Sequence, residues 1–273
     1  MLTPATRRSA ASSSLLLAFA AGAVVGVLGG MIGLGGAEFR LPLLIMLFGF
    51  AALQAVILNK TLSLVVVLTA LPARLAAVPF SALVPHWTVV LNLLAGSLAG
   101  AWVGASWATR MRSSTLYRIL AVLLVLIAAA LITNHAGRLG HLTLAPAAVI
   151  AAGVVAGFFI GVVAAIMGVA GGELLIPTIT LLFGTDIKIA GSLSLAVSLP
   201  TMLVAFARYS RDGSFIVLRR YVRLTIALAV GSIAGTIVGG LLLGVVPDAI
   251  LVPGLAALLV LSSIKVWRHA TAE

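Results

Sequence analysis

The chain has 273 residues, of which 62% are hydrophobic and only 8% are charged, with a mean hydropathy of +1.27. So little polar surface cannot coat a water-soluble globule of this length, and the absence of cysteine excludes disulfides and thiolate metal sites. A formal net charge of +11 would suggest nucleic-acid binding in a soluble protein, so the positions of the basic residues decide what it means.

Ten apolar segments separated by polar loops predict an all-α, polytopic transmembrane protein. Several of them reach the ~20 residues that a helix needs to cross the hydrocarbon, and alternating strand-like runs of the barrel type are absent. In chain order the segments are about 14–34, 39–50, 53–72, 85–107, 117–134, 146–168, 174–184, 189–207, 220–244 and 249–267.

The two halves of the chain repeat each other. The stretch GVLGGMIGLGGAEFRLPLLIMLFG from Gly26 returns as GVVAAIMGVAGGELLIPTITLLFG from Gly161, 135 residues later and without a gap. We therefore predict two transmembrane repeats, each with a broken, re-entrant glycine-rich hairpin and three further membrane segments. The predicted boundaries are a tail at 1–13, repeat 1 at 14–134, a loop at 135–145, repeat 2 at 146–268 and a tail at 269–273.

The basic residues lie mostly in loops and predict the topology. If Arg7 and Arg8 are cytoplasmic, threading the segments in order puts twelve basic residues inside and three outside, as the positive-inside rule requires. Five segments per repeat is an odd number, so the second repeat enters from the opposite side and the repeats are inverted. Both termini are then cytoplasmic, and topology rather than nucleic acid explains the charge. The first apolar run is too long for a cleaved signal peptide, so we expect it to be retained.

The second segment of each repeat is too short to cross the hydrocarbon, because a helix rises only ~1.5 Å per residue. We therefore expect half a helix, preceded by a backbone break where glycines cluster. Irregular backbone at membrane depth must be buried in protein or line a cavity, because lipid offers no hydrogen-bond partner. The break residues are Gly33, Gly35 and Gly36 in the first copy and Gly168, Gly171 and Gly172 in the second, followed by Pro42 and Pro177 as structural hinges.

Two breaks that enter from opposite sides would meet near the middle of the membrane. The N-termini of the half-helices present unpaired N–H groups and positive dipole ends there, which favour an anion. The alternative is that the glycines only allow close helix packing. We prefer that alternative for Gly96, Gly100, Gly104 and their partners in repeat 2.

Glu38 and Glu173 occupy matched positions just after the breaks, and the only other glutamate is the terminal Glu273. In one interpretation each carboxylate caps the first turn of its half-helix. In the other it carries a proton whose movement is coupled to the passage of an anion, since burial disfavours the charged form. Both interpretations predict a buried glutamate.

Further substrate-binding candidates lie on the third segment of each repeat. Lys60 either neutralises an anion or extends to the cytoplasmic interface, because a bare charge inside an apolar segment is costly. Arg40 is expected to pair locally with Glu38. The four histidines lack metal-ligand spacing, so we expect neither a metal nor a cofactor. The candidates on the third segments are Asn59, Lys60, Thr61 and Ser63 in repeat 1 and Ser194 and Ser198 in repeat 2.

Three stretches carry a family resemblance: GxxGxGGAExxxP from Gly30, GxxGGExxxP from Gly168, and GTDIKIAGSLSLAVSLPTML from Gly184. They resemble the sulfite exporter TauE/SafE family of membrane permeases. The resemblance implies a bacterial inverted-repeat transporter for sulfite, sulfonates or other small sulfur-containing anions. Ala37 and Ala170 depart from the family's common triple-glycine pattern.

We therefore predict a secondary transporter that moves a small sulfur-containing anion, such as sulfite or an organosulfonate, by alternating access with protons as the coupling ion. Its partners would be the anion, protons and the lipid bilayer of a bacterial inner membrane, while the sequence predicts no oligomeric state. The alternatives are an uncoupled anion channel or uniporter and a non-transporting membrane scaffold. No enzyme is expected, since HExxH, serine-nucleophile and aspartate-dyad motifs are absent.

Overall fold

A computed structural model describes residues 4–32, 36–77, 80–135, 145–211, 215–242 and 248–272. Over these ranges the chain is almost entirely helical and forms no strand. Seven helical stretches there are long and apolar enough to cross a membrane. The prediction of an all-α, polytopic membrane protein is therefore confirmed.

The helices recur at the same spacing as the sequence motifs. The first residues of α2, α3, α5 and α6 return 135 residues later as the first residues of α8, α9, α11 and α12. The first half contains α1 (Pro4–Ile32), α2 (Ala37–Met46), α3 (Ala52–Ala77), α4 (Phe80–Leu83), a 3-10 turn (Val84–His86), α5 (Trp87–Ala108) and α6 (Ser113–His135). The second half contains α7 (Pro146–Met167), α8 (Gly172–Phe183), α9 (Ile187–Ser210), α10 (Ile216–Arg220), α11 (Val222–Leu241) and α12 (Asp248–Ala272).

Several helices extend beyond the apolar segments that predict them. α1 begins at Pro4, inside the predicted tail, and α12 continues to Ala272. The hydrogen bonds of a helix are local and do not require apolar side chains, so apolar composition marks a membrane span rather than the end of the helix. Most of the predicted loop between the repeats, 136–144, lies outside the described residues.

The two halves are interlocked. α1 packs along α11 of the other half, α7 packs in the same way along α5, and α6 packs on α12. Glycines line the α1–α11 and α5–α7 contacts, and a Cβ atom on any of them would collide with the backbone of the facing helix. These glycines are Gly22, Gly26 and Gly30 of α1, Gly231, Gly235 and Gly239 of α11, Gly96, Gly100 and Gly104 of α5, and Gly157 and Gly161 of α7.

The packing interpretation of Gly96, Gly100 and Gly104 is therefore confirmed. The equal spacing and the reciprocal contacts agree with a two-fold relation between the halves. The opposite orientation of the halves in the membrane stays a prediction.

Candidate functional site

Each short helix begins at a glycine in the left-handed backbone conformation. Gly36 precedes α2 with φ 69° and ψ 20°, and Gly171 precedes α8 with φ 84° and ψ 10°. Only glycine adopts this conformation at little cost. The helices that follow have 10 and 12 residues, so at ~1.5 Å per residue neither crosses the hydrocarbon. Gly33 and Gly35 of the first break lie outside the described residues.

Glu38 and Glu173 lie at the beginning of the two short helices and reach each other. Each is the second residue of its helix, and their side chains are 2% and 9% exposed. The two carboxyl groups are within hydrogen-bonding reach of each other, and the Glu173 carboxyl also accepts a hydrogen bond from its own backbone N–H. A hydrogen bond between two carboxyl groups needs a proton on one of them, because an ionised carboxylate only accepts. Such a hydrogen bond would form only when one of the two carboxyl groups carries a proton.

Asn59 provides a second connection between the two breaks. Its side chain is fully buried, and Nδ2 donates to the carbonyl oxygen of Ala37 at 3.0 Å and to that of Met167 at 3.1 Å. Ala37 is the first residue of α2, and Met167 is the last residue of α7. The beginning of α2 and the end of α7 are thus adjacent in the interior of the protein.

Lys60 points into the protein, so its predicted extension to the cytoplasmic interface is wrong. The side chain is 1% exposed, and Nζ donates to the carbonyl oxygens of Ala164 and Val169, each at 2.8 Å. A helix leaves its last four carbonyl groups without intrahelical partners, and its negative end favours a cation. The Lys60 ammonium group therefore supplies both hydrogen-bond donors and a positive charge at the end of α7. Contact between Lys60 and an anion stays a prediction.

Ser63 also contacts the second break, since its Oγ donates to the carbonyl oxygen of Gly168 at 3.2 Å. Thr61 and Ser194 instead donate to carbonyl groups of their own helices. Ser198 is 1% exposed, and its Oγ has no hydrogen-bond partner within the described part of the chain. Arg40 is buried, and its local pairing with Glu38 stays a prediction.

Each of the two hinge prolines removes the helical hydrogen bond to the backbone carbonyl of a glutamate. Pro42 lies inside α2 and Pro177 lies inside α8, each four residues after the glutamate. A proline has no N–H to donate to the carbonyl group four residues earlier. The backbone carbonyls of Glu38 and Glu173 therefore lose their helical partners, next to the contact between the two side chains.

Tyr209 is a contributor to the site that the sequence did not indicate. Its side chain is fully buried, and its hydroxyl donates to the carbonyl oxygen of Ala165 at 3.0 Å. This carbonyl is one of the last four of α7, beside those that Lys60 and Asn59 bind. The repeat offers no signal for it, because the equivalent position in the first half is Arg74.

The family comparison bears on the first half of the chain. The model of the family "Sulfite exporter TauE/SafE" matches residues 1–131, a range that contains Glu38 and the polar residues of α3. No curated protein and no solved structure matches the chain. The family consists of membrane transporters, which is consistent with the expectation that the chain is not an enzyme. The predicted resemblance is therefore confirmed: residues 1–131 of this multi-pass membrane protein match the model of the sulfite exporter TauE/SafE family.

Proposed function

We propose that the protein is a secondary transporter for a small sulfur-containing anion, such as sulfite or an organosulfonate, and that it works by alternating access with coupling to protons. The observation that carries the proposal is the buried contact between Glu38 and Glu173 at the N-termini of two short helices. The family supports a sulfur-containing anion as the substrate class.

The surroundings of the pair favour an anion over a cation. The first N–H groups of α2 and α8 have no intrahelical partners, and the positive ends of both helix dipoles lie at the breaks. Anions bind at such helix N-termini in many proteins. We assign the glycines of both breaks and Ser198, whose buried hydroxyl is open, to anion binding.

The glutamate pair supports proton coupling for an electrostatic reason. Two ionised carboxylates would repel an anion at close range, and the repulsion is strong where water is excluded. A pair that holds its protons does not repel the anion, so anion binding and proton binding favour each other. Loss of the protons after reorientation would then expel the anion. A proton and an anion thus move together.

Transport by purified protein in liposomes tests the proposal. Labelled sulfite, taurine and sulfate are offered separately, under pH gradients of both directions and under none. We expect accumulation of sulfite or taurine above the equilibrium level, driven by the pH gradient alone. Uptake that only equilibrates, whatever the gradient, would favour the uncoupled channel or uniporter. If none of the three solutes crosses, the transport proposal is refuted, and a scaffold role becomes the better interpretation.

The membrane and orientation complete the proposal. We place the protein in a bacterial inner membrane with both termini in the cytoplasm, because the loops that face inward under this topology carry most of the arginine and lysine residues.

A further inference from the structure

A cavity of about 230 Å³ lies where two of the membrane helices begin. One wall is the first two turns of α3, and the other is α10 with the residue that precedes α11. The candidate membrane spans of α3 and α11 start at Ala52 and Val222, so the cavity lies at the boundary between the hydrocarbon and the lipid headgroups. It is therefore distinct from the buried contact between Glu38 and Glu173, which α2 and α8 provide.

The lining of the cavity combines apolar and polar side chains. Leu53, Ile57 and Ile216 supply apolar surface, while the Gln54 amide and the Arg220 guanidinium supply hydrogen-bond donors. Ile216 is 71% exposed, and the two polar side chains are exposed as well. An exposed apolar side chain close to an arginine is typical of a helix in the headgroup region, where acyl chains and phosphates are both within reach. The cavity therefore fits a ligand that is apolar at one end and anionic at the other.

Arg220 lies in a strongly basic stretch of the chain. Residues 208–223 contain five arginines but only one acidic residue. Arg219 and Arg223 flank Arg220, and all three side chains are exposed. In the predicted topology this stretch faces the cytoplasm, and the cytoplasmic leaflet of a membrane carries a negative surface potential. Arginines in this position attract anionic headgroups.

Aromatic contacts keep the charge of Arg220 at the cavity. Its guanidinium carbon is 5.7 Å from the centre of the Tyr221 ring, which also lines the cavity. A cation at this distance from an aromatic ring is attracted to it. The Tyr221 ring in turn makes an edge contact with Phe50, with 4.9 Å between the ring centres. The position of the guanidinium group is thus supported from the side of the protein.

The phosphodiester headgroup of an anionic phospholipid matches both parts of the lining. Arginine forms two parallel hydrogen bonds with a phosphate group, and glutamine adds a neutral donor. The acyl chains of the lipid cover the apolar wall, which a free phosphate ion would leave in contact with water. A zwitterionic headgroup carries its own ammonium group, which the neighbouring arginines repel. The chemistry of the cavity thus favours an anionic phospholipid over both alternatives.

We propose that this cavity binds one anionic phospholipid. Arg220 and Gln54 donate to its phosphate group, and one acyl chain lies along Leu53, Ile57 and Ile216. The bound lipid would connect the beginning of α3 with α10. The site is separate from the one proposed for the transported anion, so it does not depend on the transport function.

Native mass spectrometry of the full-length protein tests the site. The protein is stripped of lipid in a neutral detergent and titrated with phosphatidylglycerol, and the fraction that retains one lipid molecule gives an apparent Kd. We expect phosphatidylglycerol to bind about fivefold more tightly than phosphatidylcholine with the same acyl chains, the contribution expected of one arginine at an anionic surface.

Variants of Arg220 identify the charge that binds the lipid. R220Q should raise the apparent Kd for phosphatidylglycerol by about fivefold, because it removes that contribution. R220K keeps the charge and should bind closer to the parent than R220Q does. The matched control is R112Q, which removes an exposed arginine between α5 and α6 and outside the cavity, and which should leave the Kd unchanged.

Each alternative predicts a different result. Equal Kd values for R220Q and the parent would overturn the site, and so would an equal loss in R112Q, because net charge would then explain the binding. Equal affinity for phosphatidylcholine would overturn the anionic ligand. Displacement of the lipid by an equal concentration of glycerophosphoglycerol, the headgroup without acyl chains, would indicate a phosphate site rather than a lipid site.

A second variant keeps the proposal testable if R220Q fails to fold. I216N changes the exposed apolar side chain of the cavity and retains every arginine. We expect it to weaken the binding of phosphatidylglycerol while the Tm in lipid-free detergent stays at the parent's value. An unchanged Kd in I216N would contradict the acyl-chain contact and overturn the lipid site.

Discussion

At the scale of single residues, the contact between Glu38 and Glu173 is the feature on which transport would depend. Both side chains are buried, and each has one carboxyl oxygen without a hydrogen-bond partner in the described part of the chain. A buried polar atom without a partner is costly, so it is normally satisfied by water or a ligand. These two oxygens are where a proton or a ligand donor would bind.

Replacing either glutamate by glutamine should uncouple transport from protons. E38Q and E173Q keep the size and a hydrogen bond between the side chains, but they remove one group that releases a proton. We expect accumulation driven by a pH gradient to fall by about 100-fold or more, the range in which single acid–base groups contribute, while exchange of labelled for unlabelled anion persists. E273Q, at the only other glutamate, is the control. Unchanged accumulation in both variants would rule out the pair as the coupling site.

The two break glycines should differ in their response to alanine. Gly36 and Gly171 both have positive φ, which costs a residue with a Cβ atom about 1–2 kcal/mol. A Cβ on Gly36 would in addition collide with the carbonyl oxygen of Val25, whereas a Cβ on Gly171 would come no closer than 3.3 Å to Ala164. G36A should therefore lower the Tm in detergent more than G171A. G49A is the control for strain alone, since Gly49 has φ 67° and nothing within 4 Å. Equal losses in all three would contradict the crowding at Gly36.

At the scale of elements, the glycine faces determine how the long helices pair. α1 meets α11 and α5 meets α7 at backbone contact, which only residues without a side chain permit. In lipid there is little hydrophobic force between helices, so this close packing is a main source of their association. Each short helix contacts one member of these pairs, since α2 contacts α1 and α8 contacts α7.

Alanine substitutions at two neighbouring glycines of α11 should affect the Tm differently. A Cβ on Gly239 would collide with the carbonyl oxygen of Val27 in α1, whereas a Cβ on Gly240 would meet nothing within 4 Å. Alanine favours a helix over glycine by about 1 kcal/mol, so G240A should leave the Tm unchanged or raise it slightly. G239A should lower the Tm, because the helices must move apart. A lower Tm in G240A alone would contradict the packing of α1 on α11.

At the scale of the whole molecule, the sequence predicts more of the fold than of the site. Apolar length and clustered glycines are local properties, so the short helices and their breaks were predictable from the chain. The site depends on contacts between distant residues, which have no local signal. Lys60 donates to the carbonyl oxygen of Ala164, which is 104 residues away in the chain. A charge in an apolar segment predicts contact with an anion or with the membrane interface, and this contact is neither. The burial of Glu173 and Glu38 was predicted, whereas their mutual contact was not.

The inverted orientation of the halves can be tested with three exposed serines. Ser113 and Ser210 follow α5 and end α9, and the predicted topology places both in the cytoplasm, whereas Ser81 of α4 lies outside. In intact cells a membrane-impermeant maleimide should label S81C and should not label S113C or S210C. Inside-out vesicles should give the opposite pattern. A parallel duplication would instead expose S210C on the same side as S81C.

The pairing of α1 with α11 also has a consequence for how the protein is made. α1 ends at Ile32, but its partner begins only at Val222. At about 5–20 residues per second, a ribosome needs roughly 10–40 s to synthesise the chain between them. During that interval the glycine face of α1 has no α11 to pack against. Insertion factors or lipids must cover this face of α1 until translation is nearly finished. A chain that stops before α11 would leave the face open to the membrane's quality-control proteases.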